Sequence, residues 1–207
     1  MKNIHLLQYL IITGFVLFIL PQTVGAREPE TAGLKRAIFA GGCFWCMEKP
    51  FEALAGVHSV TSGYIGGRTE NPNYQTYSRD GHIEAVEVVY DPARVSYTTL
   101  LDVFWHQIDP TDDSGQFVDR GHAYTTAVFY LDDEQRRLAI ESKNELAARK
   151  VFDAPLVTPI EPATAFYPAE EYHQDYYKKN PVRYQYYRFG SGRDRFLDTV
   201  WGQDREK

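Results

Sequence analysis

The segment Gly41-Gly42-Cys43-Phe44-Trp45-Cys46 sets two thiols one helical turn apart behind a pair of glycines, and no other cysteine occurs in the 207 residues. Residues 34–40 are mostly apolar and read as a strand. After the glycines, Phe44, Met47, Phe51 and Leu54 recur at helical spacing, which predicts a helix over 43–54 that Pro50 kinks or ends early. A strand therefore hands over to a helix at the thiols. The glycines permit a tight turn and a close backbone approach. Cys43 falls at a helix N-terminus, where unpaired amides and the helix dipole favour a thiolate. Positions i and i+3 share a helix face at about 5–6 Å, a span that a disulfide can bridge. The pattern points to Cys43 as nucleophile and Cys46 as resolving thiol.

Other uses of such a pair are weaker. A static disulfide this local would close too small a loop to stabilise much. A metal site needs two further ligands at set spacing, and there is no second cysteine pair. Haem attachment needs histidine after the second cysteine, where Met47 stands. Thioredoxin-like oxidoreductases carry small residues or proline between their cysteines. Here Phe44 and Trp45 fill that place and suggest a small apolar pocket beside the nucleophile.

The chain carries 12 Phe, 15 Tyr and 3 Trp, enough for one sizeable core and an aromatic-rich cleft. A net charge of −6 argues against a nucleic-acid partner. Residues 1–26 stand apart: Lys2, an apolar run from Leu6 to Leu20, the Pro21 break, and small residues at Val24-Gly25-Ala26. This is the plan of a secretory signal peptide cleaved after Ala26, with an uncleaved membrane anchor as the alternative. It implies an exported, periplasmic protein in an oxidising space. Residues 27–33 read as a polar linker, and 34–207 as one catalytic domain.

Further strands are expected over 57–64, 82–90 and 123–131, and helices over 96–107 (Ser96 as N-cap), 132–150 and 168–179. Two long polar loops, 68–81 and 109–121, are free to build a site, and 153–165 is extended through Pro155, Pro159 and Pro162. The order predicts an α+β fold: a mixed β-sheet with helices packed on it, a ferredoxin-like two-layer sandwich with long loops. In the strand His82–Tyr90, Glu84 shares a face with Val86 and Val88, and Glu87 shares the other with Ile83 and Ala85. Neither face is cleanly polar, which predicts a central strand covered by helices on both sides. Glu84, at the strand start beside a long loop, is the better candidate for a buried carboxyl that donates a proton near neutrality. Glu87 suits a solvated carboxylate. Tyr74, Asp119 and Tyr124 lie in or beside the two loops, where tyrosine hydroxyls can donate to an oxyanion. His173 reads as a helix-surface or interface histidine.

These blocks together resemble the A-type methionine sulfoxide reductase family. The carriers are Gly42-Cys43-Phe44-Trp45-Cys46, Gly63-Tyr64-Ile65-Gly66-Gly67, Asn71-Pro72-Asn73-Tyr74, Gly81-His82-Ile83-Glu84-Ala85-Val86, Val89-Tyr90-Asp91-Pro92, Phe104-Trp105, Asp109-Pro110-Thr111 and Glu171-Tyr172-His173-Gln174. The resemblance spans residues 36–177. It implies that Cys43 attacks the sulfur of a methionine S-sulfoxide, free or in a protein, while Glu84 gives its oxygen a proton. Tyr74 and Tyr124 would hydrogen-bond that oxygen, Phe44 and Trp45 would enclose the methyl group, and Asp119 would hold the substrate or the tyrosines. Methionine leaves, Cys43 becomes a sulfenic acid, and Cys46, which stands where many members have glycine, condenses with it. The resemblance further implies thioredoxin or a thioredoxin-like protein as reductant, with no cofactor and no metal, and a single domain with a shallow site suggests a monomer. Two other readings stay open: a dithiol–disulfide oxidoreductase acting on protein cysteines, and a binding module with a structural disulfide.

Overall fold

Strand β1 (Lys35–Gly41) lies between β3 (Ile83–Tyr90) and β6 (Thr126–Tyr130), antiparallel to both. β2 (Val57–Ile65) pairs with the other side of β3, also antiparallel. The resulting order β6-β1-β3-β2, with a helix joining β1 to β2 and another after β3, is the split βαβ arrangement of a ferredoxin-like sheet. Two short strands extend it: β7 (Ile160–Pro162), parallel to β6, and β8 (Tyr167–Pro168), antiparallel to β2. The sheet is thus mixed, as the sequence predicts. A two-stranded ribbon of β4 (Gly115–Gln116) and β5 (Asp119–Arg120) stands apart inside the second long loop. The structure is a computed structural model that describes residues 33–202; the apolar segment 1–26 and the linker up to residue 32 lie outside the described residues.

The helices are α1 (Trp45–Glu52), α2 (Tyr97–Trp105), α3 (Asp133–Ala148), α4 (Tyr176–Lys179), α5 (Pro181–Gly190) and α6 (Arg193–Trp201). Ser96 caps α2 by accepting from the Thr99 amide at 3.0 Å, and Asp132 caps α3 by accepting from Gln135 at 2.7 Å. Every second residue of β1 turns toward these helices. Phe39 stacks on Phe51 of α1 and Phe104 of α2, with ring centroids 5.1 and 5.2 Å apart. Val86 and Val88 of β3, Ala139 of α3 and Leu197 of α6 join the same core.

The opposite face departs from expectation. Ile38, Ala40, Ile83, Ala85 and Phe129 are buried there, but Ala163 and Phe166 of the extended 160s segment cover them, not helices. β3 is central, and among the described residues the helices lie on one face of the sheet. The strand expected from residue 123 begins at Thr126, because Gly121, with φ +100°, turns the chain into a short 3-10 segment over His122–Tyr124. The helix expected over 168–179 shrinks to α4. Its first half instead pairs with β2: the Ala169 amide donates to the Ser62 carbonyl, and the Gln174 side chain bonds both the amide and the carbonyl of Ser62.

Strand register places the site. Gly41 pairs with Thr126, and Phe39 pairs with Val86 across the other edge. The end of β1, the start of β3 and the turn before β6 therefore meet at one end of the sheet. Both glycines at the end of β1 are required there. A Cβ on Gly41 would sit 2.5 Å from Met47 Sδ, and one on Gly42, whose φ is +77°, would sit 2.6 Å from Gln116 Cβ.

Candidate active site

Cys43 lies two residues before α1. Its carbonyl accepts from the Cys46 amide at 3.0 Å, so the first turn folds both thiols onto one side. Cys43 is 6% exposed and Cys46 fully buried. Glu84, in the second position of β3, points at this turn and is buried: its Oε2 accepts from the Phe44 amide at 3.0 Å, and its Oε1 accepts from Tyr77 Oη at 2.8 Å. Burial pushes the Glu84 carboxyl up to about 8, against the lowering effect of those two donors. It is mostly protonated at neutral pH. Glu87, three residues on, faces the other way and pairs with Arg36 at 3.1 Å.

The two thiols shift in opposite directions. Burial, the hydrogen bond with Cys46 and the nearby Glu84 push the Cys43 thiol well above its usual range. The Cys46 thiol is drawn down to about 6, first by its hydrogen bond with Cys43 and then, against burial, by Arg193 and Arg188. The two thiols titrate as one unit, in which Arg193 and Arg188 favour a negative charge and burial opposes it. Cys43 faces the Glu84 wall, and the two arginines approach from behind Cys46.

An aromatic cage surrounds the pair. Trp45 is half-buried, stacks on Tyr176 at 3.7 Å, and donates from Nε1 to His173 Nδ1 at 3.1 Å. Phe44 is buried between Tyr64 and His173, with centroids 6.0 and 5.0 Å away. His173 is therefore a buried wall residue and not a surface one. Its Nδ1 accepts, so its Nε2 carries the proton. Asp119, on β5, accepts from the hydroxyl of Tyr187 of α5. Burial raises the Asp119 carboxyl, opposed by Tyr187 and Arg193. The same Tyr187 hydroxyl also lies beside Cys43. Tyr124 Oη lies 3.5 Å from Tyr77 Oη.

Cys43, Cys46, Phe44, Trp45, Glu84, Asp119 and Tyr124 thus gather in one place. Tyr74 stands at the rim: its ring lies 5.8 Å from that of Tyr77 and 4.6 Å from that of His173, and it is 42% exposed. It is Tyr77 that bonds Glu84. Sequence reasoning passes over Tyr77, Tyr187, Arg188 and Arg193. Tyr187 and Arg188 sit on α5, for which Asn180-Pro181, followed by Tyr184, Tyr187 and Arg188 at helical spacing, is a usable signal, whereas Arg193 opens α6. Among the described residues, no three His, Cys, Asp or Glu side chains gather as a metal site.

A dithiol beside a neutral acid, walled by aromatic rings, suits the thiol-dependent reduction of a small group whose oxygen must be protonated to leave. Fold and site together define a thiol oxidoreductase. Comparison narrows the class. The family profile of peptide methionine sulfoxide reductases matches residues 35–205. The chain is 54% identical over 173 residues to the peptide methionine sulfoxide reductase MsrA of Bacillus licheniformis, covering 83% of this chain and 96% of that one. Methionine sulfoxide reductase A of Corynebacterium diphtheriae superposes with a TM-score of 0.64 at 32% identity, over 74% of this chain and 78% of that one. Reduced Mxr1 from Saccharomyces cerevisiae gives 0.67 at 30% identity, over 73% and 88%. Mxr1 in complex with Trx2, at 22% identity and a TM-score of 0.52, shares the fold. The chain belongs to the peptide methionine sulfoxide reductase family of the A type, enzymes that reduce methionine sulfoxide.

Proposed function

We propose that the chain reduces the S epimer of methionine sulfoxide through Cys43. The substrate methyl group lies against Phe44 and Trp45. Tyr124 donates to the sulfoxide oxygen, Tyr77 keeps its hydroxyl on Glu84, Tyr74 closes the rim, and Asp119 holds Tyr187 in place. As the Cys43 sulfur attacks the sulfoxide sulfur, its proton passes to Cys46 and Glu84 protonates the oxygen. The S–O bond of the substrate breaks, the oxygen shifts with its proton to the Cys43 sulfur as the S–S bond just formed breaks in turn, methionine leaves, and Cys43 is left as a sulfenic acid. Cys46 then attacks that sulfur, a disulfide forms and water departs. A thioredoxin or thioredoxin-like dithiol returns both thiols. The complex of Mxr1 with Trx2 supports such a partner, since this chain shares that fold. The apolar segment 1–26 is taken as an export signal, which would place the donor outside the cytosol. The enzyme acts as a monomer.

The observation that carries this reading is the 3.0 Å bond from the Phe44 amide to Glu84, which ties the acid to the residue next to the nucleophile. The test uses a resolved S-sulfoxide of a blocked methionine with a dithiol reductant. The wild type turns over, Cys43→Ser is inactive, and Cys46→Ser releases about one equivalent of methionine and stalls without added thiol. Reduction of neither epimer, alongside rapid reduction of insulin disulfides, would assign the dithiol to protein disulfide exchange.

A further inference from the structure

Arg193 is 1% exposed, and its guanidinium is held by neutral groups at hydrogen-bond distance while its charge reaches Asp119. Its guanidinium donates to two backbone carbonyls, Gly41 at 2.9 Å and Gln107 at 2.6 Å. It also contacts Met47 Sδ at 3.7 Å and lies over the Phe117 ring at 4.7 Å. A buried cation costs several kcal/mol unless an anion shares its environment, and Asp119 is one such anion within reach of its charge. What lies in front of it is the turn from Gly41 to Met47, which carries both thiols. Arg188 approaches the same turn from α5: Nη1 donates to the Cys46 carbonyl at 3.1 Å and Nη2 to Gln107 Oε1 at 3.1 Å. Asp194 holds its Nε at 2.9 Å. Gln107 therefore joins the two guanidiniums, one on its carbonyl and one on its side chain.

We infer that Arg193 and Arg188 are positioning residues that supply the counter-charge for the single negative charge carried by the Cys43–Cys46 pair, and so set the rate at which Cys46 closes the disulfide. This rests on the reading of Cys46 as the resolving thiol. In the closing step the Cys46 thiolate forms a bond to the Cys43 sulfur, the S–O bond of the sulfenic acid breaks, and the leaving hydroxide takes up a proton to depart as water. No outside oxidant or reductant enters. The charges that face Cys46 divide clearly. Arg193 and Arg188 favour its thiolate and Asp119 opposes it. Tyr184 and Tyr187 of α5 remain neutral phenols there. Glu84 adds no opposing charge while it holds its proton. Without the arginines, Asp119 would be left as the main charge acting on the pair.

The test isolates Cys46 in a Cys43→Ser background and follows thiolate absorbance near about 240 nm against pH. Adding Arg188→Gln is expected to cut the thiolate fraction at pH 7 about tenfold, and Arg188→Lys to restore most of it. In the protein with both cysteines, Arg188→Gln should slow disulfide closure, read by Trp45 fluorescence, about tenfold more than it slows methionine release. That deficit should shrink at pH 9, where the thiol ionises unaided. Arg193→Lys and Arg193→Met repeat the comparison; if Arg193→Met does not fold, the Arg188 series decides. A titration curve that Arg188→Gln leaves in place, or a closure deficit equal at pH 7 and pH 9, overturns the inference. The titration needs no turnover, so it reads the counter-charge even if Cys46→Ser fails to stall and the resolving role falls.

Discussion

Residues 35–90 and residues 170–193 build the same site in different ways. The first segment brings Cys43, Cys46 and Glu84 together through strand register, with β1 and β3 pinned side by side in the core. The second contributes no reacting atom. Its His173, Tyr187, Arg188 and Arg193 reach in from short helices and turns to hold the indole, Asp119 and the thiol turn. On the proposed reading the chemistry therefore resides where β1 hands over to α1 beside β3, and its electrostatic setting on a wrapping tail. Losses in the first segment should abolish steps, whereas losses in the second should move pH profiles and binding.

Glu84→Gln should give the largest effect after loss of Cys43. Removing a general acid costs about 10²–10⁴-fold in rate, and the loss should fall on kcat. With the carboxyl pushed up to about 8, wild-type kcat falls as pH rises through that value, and Glu84→Gln should lack this alkaline limb. Stability carries the opposite signature. The folded protein holds the Glu84 proton between about 4.5 and about 8, where the unfolded chain has released it, so wild-type stability declines across that window as pH rises. Denaturant midpoints of wild type and Glu84→Gln should therefore diverge in favour of the variant from pH 5 to pH 8. A variant that kept near-full activity would remove Glu84 from the acid role and erase the contrast between the two segments.

Tyr187→Phe tests the second segment and should act more mildly. The Tyr187 hydroxyl proton goes to Asp119, so its loss leaves a half-buried carboxyl without its donor and raises that carboxyl further. A lost hydrogen bond to a charged group is worth about 1.5–3 kcal/mol, which predicts a fall in kcat/KM of about ten- to a hundredfold. The acid limb of the profile should move to higher pH. A fall in kcat/KM with an unmoved profile would mean that Tyr187 only packs against Trp45.

The legibility of the two segments follows the same division. Cys43, Cys46 and Glu84 announce themselves because thiol spacing and strand alternation are local signals. The ferredoxin-like sheet is legible for the same reason, since each central strand has its own apolar run. Tyr187, Arg188 and Arg193 meet the thiols only through tertiary contact, more than 140 positions along the chain. Nothing local separates Arg193, which is buried, from Arg195, which is exposed. Tyr77 is hidden by Tyr74, three residues earlier in the same loop, because turn chemistry shows that a loop exists but not which ring turns inward. The second face of β3 misleads for a related reason. Ile83 and Ala85 need apolar cover, and periodicity cannot tell a helix from the extended segment carrying Ala163 and Phe166.

The smallest expected effect lies inside the first segment and marks where its sensitivity ends. Glu87 shares β3 with Glu84 but faces the other side, where it pairs with Arg36 at 3.1 Å. The Arg36 side chain is 59% exposed and that of Glu87 17%, so water screens the pair. Such a bridge contributes about 0.2–1 kcal/mol, and less as salt rises. Glu87→Gln should lower the denaturant midpoint slightly at low ionic strength, lose that difference in high salt, and leave kcat and its alkaline limb as in wild type. A double-mutant cycle with Arg36→Met measures the pair directly. If Glu87→Gln instead weakened turnover as Glu84→Gln does, the charge of β3 as a whole would govern the site. The 3.0 Å tie between Glu84 and the Phe44 amide would then not be what singles out one carboxyl from the other.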